Sequence, residues 1–158
     1  MRGLCYNHPM PLLERITADL KLAMKSGDHA RVDVLRFILA GLQGAEKDKY
    51  AKAPGVALSD EEAIAVLQKE VKRRKEAIEL FQKGNRGDLV SKEEADLKII
   101  GTYVPKELSA EEIEKVVDGL KGKGVLDFNS LMRESMKELK GRADGKIVGE
   151  IVKKALAS

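Results

Sequence analysis

The pattern that most constrains the fold is a tetrapeptide, S-x-x-E, that occurs three times and each time opens a run of apolar residues at helical spacing. The three copies are Ser59–Glu62, Ser91–Glu94 and Ser109–Glu112. In such a capping box the serine oxygen accepts a hydrogen bond from the third helical N–H, and the glutamate accepts one from the N–H of the serine. The acidic residues of these first turns also suit the positive end of the helix dipole. We therefore predict a helix start at each of the three serines.

Apolar residues spaced three and four apart predict the helices of the first two thirds of the chain. The first helix ends at Gly27, the second is broken by Pro54-Gly55, and the helix that follows Ser59 spans about 25 residues, or ~37 Å. The residues predicted to face inward are Leu13, Ile16, Leu20 and Met24 in the first helix, Leu35, Ile38, Leu39 and Leu42 in the second, Ile64, Leu67, Val71, Ile78 and Phe81 in the third, and Leu97, Ile100 and Val104 in the fourth.

The last third of the chain predicts three shorter helices. Gly122 is interpreted as a left-handed stop of the helix that begins after Ser109. Asp127 and Asp144 can cap the two helices that follow. The residues predicted to face inward are Ile113, Val116, Val117 and Leu120, then Phe128, Leu131, Met132, Met136 and Leu139, then Ile147, Val148, Ile151, Val152 and Leu156.

Because no segment alternates with the period of a strand, we predict an all-α protein made of two small helical units. The N-terminal helical domain covers residues 10–104 and contains the long central helix. A linker, 105–108, leads to a C-terminal three-helix domain, 109–158. Residues 1–9 are interpreted as an extension outside the fold.

Composition limits the possible functions. The chain has 158 residues with 35 % charged side chains, and no apolar run approaches the ~20 residues that a membrane span needs. Its single cysteine, Cys5, can form no internal disulfide. We predict a cytoplasmic protein with no metal and no cofactor. No set of nucleophile, histidine and acid can be assembled, because His29, the one histidine of the predicted fold, lies near a helix start and suits a surface or capping role.

One basic constellation lies in the long helix, within "QKEVKRRKEAIELF". We favour a solvated helix face for it. Arg74 stands out, because it falls where the apolar stripe expects an apolar residue. Either its head group escapes to solvent, which is the interpretation that we favour, or it reaches a buried acid between helices. We call the basic residues of this stretch the second basic patch; they are Lys69, Lys72, Arg73, Arg74 and Lys75.

The other constellation is "KGRADGK" between the last two helices, in a stretch (129–158) with seven basic and four acidic side chains. Free N–H groups at a helix start, the helix dipole and the basic side chains can together bind a phosphate. A turn with no ligand explains the same pattern, and by pattern alone that interpretation is favoured. The candidate residues are Lys140, Gly141, Arg142, Ala143, Asp144, Gly145 and Lys146, extended by Arg133 and Lys137.

Three stretches resemble the GatB/YqeY family, and in particular its free-standing YqeY-like members: "VLRFILAGLQGAEKDK", the run from Leu67 to Ile113, and "GRADGKIVGEIVKKAL". The resemblance implies a C-terminal domain like the tail of the B subunit of the tRNA-dependent amidotransferase, which grips tRNA while a separate large domain carries out the chemistry. It implies tRNA contact at Gly141, Arg142, Ala143, Asp144 and Lys146. The chain departs from the family at Gly41, Gln43 and Gly44, where alanines and a lysine are common.

Three functions follow from these observations. The first, which we favour, is a non-catalytic protein that binds tRNA or another structured RNA through its basic C-terminal surface. The second is an accessory or relative of the amidotransferase, a carbon–nitrogen ligase with glutamine as amido-N-donor, although 158 residues leave no room for the catalytic domain. The third is a protein-interaction module that pairs the long helix, with Arg74 in its seam, against a helix of a protein partner or of a second copy of the chain.

Overall fold

The structure, a computed structural model, describes residues 10–158, and those residues form seven α-helices and no strand. The all-α prediction is confirmed. None of the described helices is both long and apolar enough to cross a membrane. The helices are α1 (Leu12–Ser26), α2 (His29–Lys52), α3 (Asp60–Lys83), α4 (Gly87–Gly101), α5 (Ala110–Gly122), α6 (Phe128–Leu139) and α7 (Gly145–Ala157). The predicted extension, residues 1–9, lies outside the described part of the chain.

Contacts divide the chain into two compact units, of which unit 1 ends at Val104. In unit 1, α1 packs mainly on α2 and α3 on α4, while α2 also contacts α3 and α4. The four residues of α2 that were predicted to face inward, from Leu35 to Leu42, are all buried, and so are Leu67 and Val71 of α3. The long helix has 24 residues, close to the predicted 25.

Unit 2 comprises Pro105–Ser158, so the segment predicted as a linker belongs to it. Its three helices, α5, α6 and α7, each pack against the other two. The core is aliphatic, and one polar residue, Ser135, is fully buried in α6. The buried core residues are Ile113, Val117, Leu120, Leu131, Leu139, Val148, Ile151 and Val152.

Two of the three capping boxes are confirmed. Ser59 and Ser109 each accept a hydrogen bond from the N–H three residues on, and Glu62 and Glu112 each accept one from the serine N–H. The third prediction is wrong, because Ser91 lies inside α4. After Gly84 the chain needs only Asn85, with a left-handed φ of 54°, and Arg86 to reverse. Because α4 starts at Gly87, the two apolar residues before Ser91 lie within the helix and are half-buried. A helix that started at Ser91 would leave both of them outside.

Three predicted inward residues are exposed instead: Met24, Phe128 and Ile147. In α1 the buried stripe passes through Ile16 and Ala23, seven residues apart, which is two turns of 3.6 residues, so Met24 points away. Phe128 and Ile147 lie in first turns. The predicted position of the left-handed stop after α5 is also wrong. Gly122 is the last helical residue, and the residue with a positive φ, 94°, is Gly124.

Tyr103, just after α4, ties the end of that helix to α1. Its side chain is buried, and its hydroxyl donates a hydrogen bond to Asp19 Oδ2 at 2.5 Å. The Arg15 guanidinium lies over the ring, 4.9 Å from its centre, and donates to the carbonyl of Thr102 at 3.1 Å. Burial and, to a lesser extent, the Asp19 carboxylate raise the pKa of Tyr103 to about 12, so the hydroxyl keeps its proton.

Ser59 and Ser91 both begin an S-x-x-E tetrapeptide, but Ser59 caps a helix and Ser91 lies inside one. Substituting each serine therefore tests the capping assignment directly. Ser59→Ala removes the cap of α3 and should lower the free energy of unfolding by about 1 kcal/mol. Ser91→Ala, at an exposed site inside α4, should leave it unchanged or raise it by up to about 0.5 kcal/mol, because alanine is the better helix former. Urea unfolding of both variants measures this difference. Equal losses would contradict the placement of Ser91.

The same capping box predicts a pH dependence. Hydrogen bonds from Lys49 and from the Ser59 N–H lower the pKa of Glu62 from 4.5 to about 2. A carboxyl with a lowered pKa stabilises the fold above its unfolded pKa, and this stabilisation is lost as pH falls from about 4.5 to about 2. Glu62→Gln should therefore lose less stability than the wild type over that window in thermal unfolding. Glu61→Gln is the control, and it should keep the wild-type pH dependence.

Candidate nucleic-acid interface

The turn between α6 and α7 places the basic residues of "KGRADGK". After Leu139, Lys140 and Gly141 both adopt left-handed conformations, with φ of 46° and 73°, and reverse the chain. Asp144 then caps α7, accepting a hydrogen bond from the Lys146 N–H at 2.7 Å. The predicted cap is confirmed. The whole reversal from Leu139 to Lys146 takes one short turn, so the charged side chains of this segment emerge at one end of unit 2.

The backbone of Arg142 joins this turn to the segment before α5. The Arg142 carbonyl accepts a hydrogen bond from the Leu108 N–H at 2.8 Å, and the Arg142 N–H donates to the carbonyl of Leu139 at 2.9 Å. The side chain adds a third bond, from Arg142 Nε to the carbonyl of Lys106 at 3.2 Å. Residues 106–108 are therefore held against the α6–α7 turn.

The basic residues at this end of unit 2 differ in their exposure. Lys140 and Lys146 are exposed, Arg142 is half-buried, and Ala143 packs partly against the core. The structure adds Lys106, which is also exposed and which the sequence analysis missed. No local signal could have found it, because it lies 36 residues before Arg142. We call Lys106, Lys140, Arg142 and Lys146 the basic end of unit 2.

Two carboxylates lie beside these cations, and both cap helices. The Ser109 N–H and, to a smaller degree, the charges of Arg142 and Lys106 hold the pKa of Glu112 below its usual range. Asp144 accepts from the first turn of α7. A carboxylate therefore already occupies part of the helix start at which the sequence analysis predicted a phosphate.

The other two candidates of this constellation lie on α6. Arg133 is exposed, with its Nε 3.6 Å from Glu134 Oε1, and Lys137 is exposed in the last turn. A contact of that length between solvated groups contributes little to stability. Both side chains remain accessible to a ligand.

The second basic patch, on α3, separates into a solvated face and Arg74. Lys69 and Arg73 are exposed, as are Lys72 and Lys75, which have interactions within the protein. For these four residues the structure matches the expected solvated face. These four residues belong to unit 1, whereas the basic end belongs to unit 2.

Arg74 does not extend into solvent, so the favoured interpretation of this residue is wrong. Its side chain is 11 % exposed, and its Nη1 donates to both Glu93 Oε2 and Asp96 Oδ2 at 2.8 Å. Its Nε lies 3.0 Å from Glu70 Oε1, as an ion pair whose N–H does not point at the carboxylate well enough for a hydrogen bond. The Phe37 ring covers the guanidinium, 5.3 Å from its Cζ. Arg74 thus bridges α3 and α4. This arrangement is the other interpretation of Arg74, in which its head group reaches a buried acid between helices.

This result removes the observation behind the interaction-module hypothesis, because the charge in the seam of α3 is already paired within unit 1. The two glycines of α2 do not mark a close helix contact, because a Cβ built on Gly41 or Gly44 meets no atom of the described residues within 4 Å. Among residues 10–158, no group of three His, Cys, Asp or Glu side chains is arranged to hold a metal ion.

Removing the buried guanidinium should destabilise the protein far more than removing its neighbour. Arg74→Met leaves three largely buried carboxylates together and should cost roughly 3 kcal/mol of unfolding free energy, whereas Arg73→Met at an exposed site should change it by less than about 0.5 kcal/mol. Adding Glu93→Gln and Asp96→Asn to Arg74→Met should recover part of the loss. Chemical denaturation measures all three variants, and similar values for the two arginines would contradict the bridge.

Comparison with known proteins identifies the class. The model of the YqeY-like protein family matches residues 13–156, so the chain belongs to the YqeY-like family. It is similar to "altered inheritance of mitochondria protein 41, mitochondrial" of Pyrenophora tritici-repentis, with 32 % identity over 84 % of this chain and 73 % of the relative. The protein of the same name from Lachancea thermotolerans is 36 % identical over 61 % of this chain and 49 % of its own length. That of Saccharomyces cerevisiae is 28 % identical over 83 % and 69 %.

The names of these relatives contradict one prediction. Each is named a mitochondrial protein, so the expected cytoplasmic location is wrong. The prediction rested on the lack of a long apolar run and on the single cysteine, which can form no internal disulfide. Neither feature distinguishes the cytoplasm from another compartment that holds proteins without membrane spans.

Proposed function

We propose that this YqeY-like protein is non-catalytic and binds tRNA or another structured RNA through the basic end of unit 2. The observation that carries the proposal is the convergence of Lys140 and Lys146 at one short turn, which Arg142 joins to Lys106 from a distant part of the chain. Lysine and arginine side chains that neutralise phosphates supply most of the affinity in sequence-independent binding.

We place the phosphate contacts on the lysine side chains and not on the backbone at the start of α7. Asp144 already accepts from the Lys146 N–H, and its negative charge would repel a phosphate brought to the same N–H groups. Lys140 and Lys146 are exposed at the turn between α6 and α7. They can therefore meet a phosphate without displacing the cap.

The composition of unit 2 favours recognition of a structured RNA. Phe128 is the single aromatic residue of 105–158, so the unit lacks the aromatic platforms on which single-stranded bases stack. Contacts to phosphates along a folded RNA need no such platform, and selectivity then comes from shape. Amide transfer rests on the family resemblance alone and is not part of the proposal.

The test compares two double charge reversals in the full chain. Lys140→Glu with Lys146→Glu should weaken binding of a fluorescently labelled tRNA transcript at least about tenfold and reduce the slope of log affinity against log salt by about two. Lys123→Glu with Lys153→Glu makes the same change of net charge at exposed sites elsewhere in unit 2 and should have a much smaller effect. Fluorescence anisotropy across a salt series measures both.

Two results would contradict the proposal. If the wild type does not bind tRNA at low salt, the basic end is not an RNA surface. If both double variants lose the same affinity, net charge alone drives binding and the turn has no special role. Thermal unfolding of each variant verifies that any loss of binding comes from a folded protein.

A further inference from the structure

Arg142 and Lys106 have different structural roles, although both are cations of the basic end. Arg142 is half-buried, and its backbone carbonyl and Nε both bond to residues 106–108. Lys106 is exposed, and its carbonyl is the group that accepts from Arg142. The hydrogen bond between the two residues thus uses the backbone of Lys106, whose exposed ammonium group lies near the Glu112 carboxylate, whereas Arg142 uses its side chain to hold the segment.

Residues 105–109 lie outside every helix, and α5 begins only at Ala110. Leu108 packs partly against the core of unit 2, and its N–H is bonded to Arg142. Without the Arg142 side chain the carbonyl of Lys106 loses its donor, so the lysine is held less closely to the turn, although the backbone hydrogen bond of the Leu108 N–H remains. Glu107, beside it, already interacts within the protein.

We propose that Lys106 is a phosphate-contacting residue of the RNA surface and that Arg142 is a positioning residue, which holds Lys106 beside Lys140 and Lys146. This inference rests on the proposed function. It differs from the assignment that the family resemblance implies, in which Arg142 itself contacts tRNA. It also brings into the surface a residue that lies outside the GRADGK motif.

Two substitutions separate positioning from direct contact. Arg142→Gln keeps an N–H donor at the same distance along the side chain as Nε but removes the charge. Arg142→Met has the same length and offers neither donor nor charge. If Arg142 positions Lys106, the glutamine variant should bind tRNA within about twofold of the wild type with a nearly unchanged salt slope, whereas the methionine variant should bind about three- to tenfold more weakly.

Lys106 is tested in the same assay. Lys106→Ala should weaken tRNA binding by about three- to tenfold and lower the salt slope by about one, whereas Lys123→Ala, at another exposed lysine of unit 2, should change neither. The double variant Lys106→Ala with Arg142→Met should bind no more weakly than the weaker of its two single variants, because both remove the same contact. A general loss of stability would instead add to the effect of Lys106→Ala.

The outcomes distinguish this inference from the proposed function. If the wild type binds tRNA but the glutamine and methionine variants lose affinity equally, with salt slopes reduced by about one, Arg142 contacts phosphate directly and the inference is wrong. Unchanged binding by Lys106→Ala would also overturn it. In both cases the proposed function stands. If no variant and no wild type binds, the proposed function itself fails and the inference fails with it.

Discussion

Burial of one aliphatic stripe per helix is the constraint on which both units depend. The chain has no tryptophan and only six other aromatic residues, so its cores are built mainly from leucine, isoleucine and valine. An isolated amphipathic helix of 12 to 15 residues is marginal in water, and its stability comes from covering that stripe. The apolar spacing along the sequence is therefore enough to locate six of the seven described helices. The start of α4 is determined mainly by the turn before it.

Polar interactions then determine how the helices of unit 1 are joined. Arg74 and its three carboxylates lie between α3 and α4, and the Tyr103 hydroxyl bonds to Asp19 in α1. Such groups add less net stability than apolar burial, because their desolvation offsets much of their attraction. Their removal is nevertheless costly, since each would leave a buried group without its partner. They favour one arrangement of the helices over alternatives with similar apolar contacts.

Unit 2 separates structural from accessible charge at a single turn. Asp144 and Glu112 cap helices, and Arg142 holds the 106–108 segment, so these three charges are engaged in maintaining the fold. Lys106, Lys140 and Lys146 extend from the same region and are exposed. Charged residues that look alike in the sequence thus form two groups in the structure. One group maintains the fold, and the other is exposed to an anionic partner. The proposed RNA contact uses the second group.

The sequence by itself determined the helical class, the caps at Ser59, Ser109, Asp127 and Asp144, and most of the buried positions, because a cap and an apolar period involve residues within one or two turns of each other. Only the tertiary structure decided the rest. It placed Arg74 on acids 19 and 22 residues away, and it brought Lys106 to a turn 36 residues distant. It also put Ser91 inside α4. These outcomes depend on which surfaces pack together, and no pattern of neighbouring residues records that choice.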